Sequence, residues 1–223
     1  MEEVMEEVII CFMIFYVGSL MGCLLEEIWC MLTKHKFEIR GSMVYEPLIP
    51  IYGLAALLIT LIANRVGYNL WKVFILGSIV SALIEYLSSY FQEKIFHTKA
   101  WDYSNYPLNL NGRINLPYTL GFGFFAVLFI KQLKLMADFV INHFNLDILY
   151  MVNILLLIVF IMDSVISVMA LYRQKKRREG YKAKNKLEVF LDERYNDKRL
   201  NRIYNNSVYV GKKKHKFLLK HRL

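Results

Sequence analysis

Residues Gly18–Glu27 read GSLMGCLLEE, and residues Gly77–Tyr86 read GSIVSALIEY. Both stretches follow one pattern: Gly, Ser, two bulky apolar residues, two small residues, two bulky apolar residues, and then Glu26 or Glu85. Small residues at every fourth position let helix backbones approach closely inside a membrane, where no hydrophobic effect drives helix association. Each stretch therefore predicts a small-residue packing stripe that ends in a carboxylate.

The surrounding sequence has the composition of a multi-pass membrane protein. Of its 223 residues, 56% are hydrophobic and four are proline, and the mean hydropathy is +0.32. A bilayer core about 30 Å thick needs roughly 20 helical residues. Apolar runs near this length predict an all-α membrane bundle of about five transmembrane helices: Val8–Leu32, Leu48–Asn64, Val73–Gln92, Ile114–Ile130 and Leu149–Tyr172. A sixth run, Leu133–Leu146, carries more polar residues and predicts an interfacial or loop helix.

The likeness of the two stretches continues into the segments that follow them. After each glutamate comes a polar loop with aromatic residues, then Pro50 or Pro117, and then Gly53 or Gly121 at the mouth of the next helix. This order predicts a two-helix unit used twice, followed by a fifth helix. Two spans per unit give both copies the same orientation, around a pseudo-two-fold axis along the membrane normal. Convergence under the same packing rule is the alternative explanation.

Positive charge is concentrated at the C-terminal end of the chain. The segment from Arg173 onward holds 18 of the 28 lysines and arginines. With five spans, this segment and the loops after the first and third helices hold 24 of the 28, which predicts an outside N-terminus and a cytoplasmic C-terminus. The predicted transmembrane domain covers residues 1–172, with repeats at about 12–64 and 73–130 and a fifth helix at 149–172. Residues 173–223 are predicted to form a basic cytoplasmic tail.

The three acidic residues that we select as candidates lie inside the predicted spans, in the cytoplasmic halves: Glu26, Glu85 and Asp163. Charge in a membrane interior is costly and marks a pathway or a fixed polar network. Under the pseudo-two-fold axis we expect the two stripes to face each other, with Asp163 as a candidate third member of one polar membrane site. Two neighbouring carboxylates need a cation or a proton, and Arg40 and Arg113 are the candidate cations. The alternatives are a purely structural Glu–Arg pairing and a local helix contact for Asp163.

The loop after the third predicted helix reads WDYSNYPLNLNGR, residues 101–113. Its Asn, Gly and Pro residues predict a structured loop instead of a flexible linker. Anchoring at the lipid headgroups explains its aromatic residues but leaves its other polar residues unexplained. The candidate cytoplasmic loop motif combines these with residues from the loop after the first helix: Arg40, Glu46, Trp101, Asp102, Tyr103, Asn109, Asn111 and Arg113.

Catalytic and cofactor-binding patterns are weak in this sequence. Cys23, Glu26, Glu27 and Cys30 share one helical face, but no His joins them and small Cys side chains also pack helices, so we expect no metal site and no cofactor. The sequence has no HExxH motif and no Ser/His/Asp arrangement, so we predict no catalytic residue. The VGKKKH stretch at Gly211 lacks the upstream glycine and the following Ser or Thr of the ATP-binding loop GxxxxGK[ST].

The segment LIEYLSSYFQEKIFHTKAWDYSNYPLNLNGRI, with the upstream RGSMVYEPLIPIYG and the later LGFGFF, resembles the bacterial ABC transporter permease family named "putative ABC-transporter type IV". The resemblance covers about Phe12 to Leu135. It implies a permease component of a bacterial cell membrane, served by a separate ATPase subunit. One departure is Glu46, where the family pattern implies glycine. The matching motif residues are Glu26, Arg40, Gly41, Pro47, Pro50, Tyr52, Gly53, Glu85, Trp101, Asp102, Tyr103, Asn109, Gly112 and Arg113.

Two other functions remain open beside a permease component. One is a membrane-embedded enzyme acting on lipid-linked substrates, with Asp102 and Glu85 as acid and base and Arg40 and Arg113 holding phosphate. The other is a non-catalytic membrane scaffold. The run YRQKKRR, Tyr172–Arg178, predicts anchoring to anionic membrane lipids, with a protein partner as the alternative. We expect a homodimer, because five helices are few for a pathway, and no nucleic-acid partner, because no fold for its recognition is visible.

Overall fold

The computed structural model describes residues 2–35 and 42–211, which fold mostly into helices. Within them, three helices are long and apolar enough to cross a membrane, α1 (Glu2–Lys34), α3 (Leu70–Phe96) and α5 (Leu146–Arg178), and α2 (Pro50–Val66) is a shorter apolar helix. The predicted helical membrane bundle is thus confirmed, and three of its five spans are supported by length and composition. The elements are α1 (Glu2–Lys34), α2 (Pro50–Val66), α3 (Leu70–Phe96), β1 (Thr98–Lys99), β2 (Asn109–Leu110), β3 (Ile114–Asn115), α4 (Leu116–His143), α5 (Leu146–Arg178), α6 (Lys186–Arg194), α7 (Asp197–Ile203) and β4 (Val208–Tyr209).

Helix starts follow local capping chemistry. Asn69, Asn115 and Asn145 precede α3, α4 and α5, and each side chain accepts a hydrogen bond from a backbone N–H of the first turn. Such caps satisfy N–H groups that have no partner within the helix. Pro50 and Pro117 lie in the first turns of α2 and α4, where a missing N–H costs nothing.

Helix α4 is longer than the sequence predicted. It continues through Leu133, which is 5% exposed, and Ala137, which is fully buried. Lys134 and Asp138 form an ion pair one turn apart within it. The prediction of a separate interfacial helix over Leu133–Leu146 was therefore wrong, because paired charges and buried small residues let one helix continue through a mixed sequence.

The two small-residue stripes hold α1 against α2 and α3 against α4. A Cβ added to Gly18 would lie 3.2 Å from the Cα of Gly53, and one added to Gly77 would lie 3.2 Å from the Cα of Gly123. Each stripe thus packs against the helix that follows it, and the expectation that the two stripes face each other was wrong. A small-residue stripe marks a face for close packing without specifying which helix it meets.

The glycines on the second helix of each pair are equally constrained. A Cβ on Gly53 would overlap the side-chain oxygen of Ser19, and one on Gly123 would overlap that of Ser78. A Cβ on Gly121 would meet nothing within 4 Å. The counterpart of Gly53 is therefore Gly123, and the sequence alignment of Gly53 with Gly121 was wrong by two residues.

Gly123→Ala is expected to lower the thermal stability of the protein. The added methyl group would overlap Ser78 and the backbone carbonyl of Phe74. Overpacking of this kind costs about 1–3 kcal/mol, which exceeds the gain of about 1 kcal/mol from replacing a helical glycine by alanine. Gly121→Ala is the matched control, because it receives the same gain without the overlap. Thermal unfolding of both variants in one detergent measures the difference, and equal unfolding temperatures would contradict this packing.

The loops after α1 and α3 meet the C-terminal segment on one side of the bundle. Strand β1 pairs antiparallel with β4, with Thr98 opposite Tyr209. Val44, which follows α1, belongs to a buried apolar cluster with Ala170 of α5 and Leu191 of α6. This layer therefore places the ends of α1, α3 and α5 together.

Ion pairs fold the C-terminal segment back onto α5. Arg173 is 4% exposed and its guanidinium donates to both carboxylate oxygens of Asp192, at 2.9 and 2.7 Å. Arg177 donates to Asp192 at 2.6 Å and to Asp197 at 2.7 Å. Burial alone would raise the pKa of Asp192, but the bonds from the two arginines outweigh it and hold that pKa below its usual value. Two of the arginines in the predicted lipid anchor thus bind carboxylates of the same chain instead of being left free for lipid.

Candidate functional site

Glu26 on α1 and Glu85 on α3 lie near enough inside the bundle for their carboxylates to interact electrostatically. Glu26 Oε1 accepts a hydrogen bond from the hydroxyl of Tyr52 at 2.9 Å, and Glu85 Oε1 accepts one from Tyr103 at 3.0 Å. Glu85 is only 6% exposed, and its second oxygen has no hydrogen-bond partner in the described part of the chain. Burying a carboxylate with an unmet acceptor is costly, so this residue marks the centre of the candidate site.

Aromatic rings line the region around the two carboxylates. Tyr103 stacks on Tyr118 with ring centroids 5.1 Å apart, and Tyr106 meets Tyr118 edge to face at 6.2 Å. Tyr52 meets Phe122 edge to face at 5.9 Å. Tyr106 is 49% exposed, so the cluster is open on one side, while the partly buried rings of Tyr52 and Tyr103 place apolar surface beside the two carboxylates. Electrostatic interactions are stronger beside such low-dielectric surface.

The Tyr103 hydroxyl remains a hydrogen-bond donor over the whole physiological pH range. Its pKa lies well above the usual value, because burial disfavours the phenolate and the carboxylates of Glu85 and Glu26 disfavour it further. The predicted motif residue Tyr103 therefore brings the loop after α3 into direct contact with the predicted membrane site.

Asp102 organises the loop instead of facing the carboxylates. Its Oδ1 accepts hydrogen bonds from the backbone N–H of Ser104 at 3.0 Å and from the Ser104 hydroxyl at 2.5 Å. Its Oδ2 lies 3.3 Å from the amine of Lys99. These bonds, led by that of the Ser104 hydroxyl, hold the pKa of Asp102 below its usual value. Asp102 is thus an ionised turn residue that positions the next residue, Tyr103.

A short hairpin, β2–β3, completes the loop. Asn109 accepts the N–H of Gly112 at 2.9 Å, and the indole N–H of Trp101 donates to the carbonyl of Arg113 at 2.8 Å. Asn111 and Gly112 both have positive φ, of 55° and 66°, which Asn and Gly adopt more readily than other residues. The Asn and Gly residues of the motif therefore have a structural explanation: they shape the turn that carries Tyr103.

Arg113 binds a carboxylate other than Glu85. Its guanidinium donates to Ser89 at 3.1 Å and to Glu93 at 2.8 Å, and it lies over the rings of Tyr86 and Tyr90. The prediction that Arg113 pairs with the Glu26/Glu85 site was therefore wrong.

Asn111 and Arg40 are the remaining motif residues. Asn111 donates to the hydroxyl of Tyr86 at 2.9 Å, which ties the hairpin to α3. Arg40 lies outside the described residues, so its pairing with the two carboxylates stays a prediction.

Asp163 holds the backbone of the loop after α1. Its Oδ2 accepts hydrogen bonds from the N–H groups of Tyr45 at 3.0 Å and Glu46 at 2.7 Å. Ser167, one turn further along α5, donates to Asp163 at 3.2 Å and accepts from the N–H of Val44 at 2.9 Å. Asp163 is 3% exposed. These contacts place it in a backbone-binding role, apart from the bonds made by Glu26 and Glu85.

Glu46 links the same loop to α1. One of its oxygens accepts a hydrogen bond from the hydroxyl of Tyr16 at 2.6 Å, and the other is buried with no hydrogen-bond partner among the described residues. The family pattern implies glycine at this position, and glycine has no side chain. The link to Tyr16 therefore depends on the glutamate that this chain carries instead.

Side chains of the types that bind metal ions or act in catalysis lie mostly apart from one another in the described part of the chain. In the ranges 2–35 and 42–211, no three His, Cys, Asp or Glu side chains are grouped so that they could hold a metal ion. His97 lies 3.3 Å from Glu179, in the layer formed with the C-terminal segment. Cys23 contacts Glu27 at 3.8 Å within α1.

Sequence reasoning missed several residues of the site. Tyr118 follows Pro117 directly in the first turn of α4, and this position was the available signal for including it in the site. Glu93 continues the four-residue spacing of the α3 stripe through Glu85 and Ser89, so the partner of Arg113 could have been found from the same pattern.

These features describe a mostly helical membrane protein with a candidate acidic site at Glu26 and Glu85. The chain belongs to the family described as "Putative ABC-transporter type IV", whose model matches residues 13–168. The match includes Asp163 and Ser167 on α5, so the expectation that the family resemblance ends near Leu135 was wrong. No curated protein and no solved structure matches the chain.

Proposed function

We propose that the protein is the membrane-embedded permease component of a transporter, and that the Glu26/Glu85 site lies on its solute path. The observation that carries this proposal is the burial of Glu85 inside the bundle with one carboxylate oxygen unpartnered among the described residues. Such a group is expensive in a structural role that a neutral residue could fill. Tyr103 connects this carboxylate directly to a cytoplasmic loop, which gives the site a route for coupling to a partner.

Matching packing supports a duplicated two-helix unit around this site. A Cβ on Gly18 would lie 3.2 Å from the Cα of Gly53, and one on Gly77 would lie the same distance from the Cα of Gly123. The two carboxylates follow Gly18 and Gly77 by the same eight residues. In this proposal the two helix pairs are the halves whose relative movement opens the site to either side of the membrane.

The positions of the loops support five spans with a cytoplasmic C-terminus. Because α1, α3 and α5 end on the same side, α2 and α4 must return the chain across the bundle between them. The loops on that side and the C-terminal segment carry most of the basic residues, which favours the cytoplasm.

A separate ATPase subunit would supply the energy, since the sequence contains no GxxxxGK[ST] loop. The hairpin loop at 101–115 and helix α7 form the cytoplasmic surface available for docking. The lipid-enzyme alternative is less favoured, because its proposed acid, Asp102, is engaged with Ser104 and Lys99 on an exposed turn.

Isolation of the protein from native membranes in mild detergent tests the proposal. The permease assignment predicts a nucleotide-binding subunit in stoichiometric amount, identified by mass spectrometry, and ATP hydrolysis by the isolated complex. Recovery of the chain alone or only as a homodimer, after crosslinking in the intact membrane before extraction, would contradict it and favour the scaffold function.

A further inference from the structure

Helix α6 is held beside α5 at the level where the apolar sequence of α5 ends. Leu191 of α6 packs with Ala170 of α5, and Asp192 binds Arg173 and Arg177. At 1.5 Å per residue, the 33 residues of α5 extend about 50 Å, while the hydrocarbon core is about 30 Å thick. The last turns of α5, and α6 with them, therefore lie in the headgroup layer.

The side of α6 that faces away from α5 carries apolar side chains. Leu187, Val189 and Phe190 are 52%, 45% and 54% exposed, whereas Leu191 on the packed side is 6% exposed. Leu187 and Phe190 are three positions apart, so they share one side of the helix. Exposed leucine and phenylalanine on a folded surface mark a contact with a partner or with lipid.

Basic side chains flank this apolar side. Lys184 and Lys186 are exposed, and neither forms an ion pair within residues 2–35 and 42–211. The arginines of α5 differ from them, because Arg173 and Arg177 are already neutralised by Asp192 and Asp197. A helix with large apolar residues on one side and free lysines beside them matches the pattern of an interfacial helix.

We propose that α6 is an interfacial helix whose Leu187 and Phe190 enter the boundary between headgroups and acyl chains of the same membrane, while Lys184 and Lys186 bind anionic headgroups. On α5, Val168 and Tyr172 flank Ala170, which packs against α6, and they are themselves 53% and 46% exposed. The lipid contact of the C-terminal segment thus lies on α6 and not on the arginines of YRQKKRR. This inference does not depend on the transport function.

Site-directed spin labelling of the full chain in lipid nanodiscs tests this placement. Single cysteines replace Leu187 or Phe190 in a background where Cys11, Cys23 and Cys30 are alanine. Met162→Cys on α5, whose native side chain is 59% exposed, is the lipid reference, and Lys198→Cys on α7 is the water reference. Collision of the nitroxide with oxygen and with a water-soluble nickel chelate then reports the depth of each label.

Labels at residues 187 and 190 are expected to favour oxygen over the nickel chelate, as at residue 162. Adding phosphatidylglycerol to phosphatidylcholine discs should deepen both labels. Lys184→Gln with Lys186→Gln should weaken that response. Each lysine removed is expected to lower the ratio of membrane-bound to released α6 by about fivefold. Accessibility equal to that at residue 198 would overturn the proposal. Shielding from both reagents would also overturn it, because it would mean that a second copy or another protein covers α6.

A second measurement is available if the cysteine-free background does not fold. Phe190→Trp and Glu193→Trp keep the native cysteines, and lipids brominated near the headgroup quench tryptophan only at that depth. Stronger quenching of the added tryptophan at residue 190 than at residue 193, after subtraction of the wild-type signal, is expected. Equal weak quenching at both positions would contradict membrane insertion.

Discussion

Asp163→Ala is expected to release the loop after α1 from α5. The carboxylate is the acceptor for the N–H groups of Tyr45 and Glu46, and hydrogen bonds to charged groups contribute about 1.5–3 kcal/mol each. With partial recovery of water contacts, we expect a loss of about 2–4 kcal/mol of local stability. Hydrogen exchange of the amides at residues 44–46 should accelerate about 30-fold or more, which mass spectrometry of that peptide measures.

Asn153→Ala is the matched control for this experiment. Asn153 is also a buried polar residue on α5, at 8% exposure, but among the described residues its amide donates only to the carbonyl of Leu149 within the same helix. Its replacement should leave exchange at residues 44–46 unchanged. Unaltered exchange in Asp163→Ala as well would show that the loop is held by other contacts and would refute the role assigned to Asp163.

The effect of Asp163→Ala should spread to the C-terminal segment. The hydroxyls of Tyr45 and Tyr195 lie 2.7 Å apart, and Arg199 lies over both rings. Val44 shares a buried cluster with Leu191. Because the loop forms one wall of this cluster, faster exchange in α6 is expected together with that in the loop. An effect confined to residues 44–46 would mean that the segment is held by its ion pairs alone.

The sequence predicted the close-packing faces correctly because small residues at every fourth position have one dominant use in membrane helices. It could not predict that the face with Gly18 meets Gly53 or that the face with Gly77 meets Gly123. Close packing requires smallness on both helices, and several helices of this chain offer small residues. Only the folded register distinguishes Gly123 from Gly121, two residues away on the same helix.

The same limit applies to the polar residues. Glu85 was predictable, since a carboxylate inside an apolar run is unusual. The partners of Asp163 are backbone N–H groups, which every residue carries, so no side-chain pattern indicates them. The positive charge of YRQKKRR, which includes Arg173 and Arg177, predicts a lipid anchor. Their pairing with Asp192 depends on a turn that brings α6 back beside α5, which local charge does not encode.

Glu85→Gln is expected to abolish coupled ATP hydrolysis or transport by the complex while the protein still folds. Glutamine has nearly the same shape and keeps a carbonyl oxygen that can accept the hydrogen bond from Tyr103. It removes a buried ionisable group that interacts with Glu26, so the unfolding temperature should stay equal or rise. Solute-stimulated ATP hydrolysis of the purified complex and thermal unfolding of the same sample measure the two effects.

Two further variants separate a functional carboxylate from a structural one. Glu93→Gln changes the second glutamate of α3, the one that binds Arg113, and should retain most of the activity. Tyr103→Phe keeps the ring stacked on Tyr118 but leaves Glu85 without its donor, which should cost about 1–3 kcal/mol of stability. If Glu85→Gln instead lost stability and activity together, as Tyr103→Phe is expected to lose stability, the charge of Glu85 would be structural and the solute path would have to lie elsewhere. Loss of activity at full stability would show that the carboxylate is needed for function and not for folding, as the proposal requires.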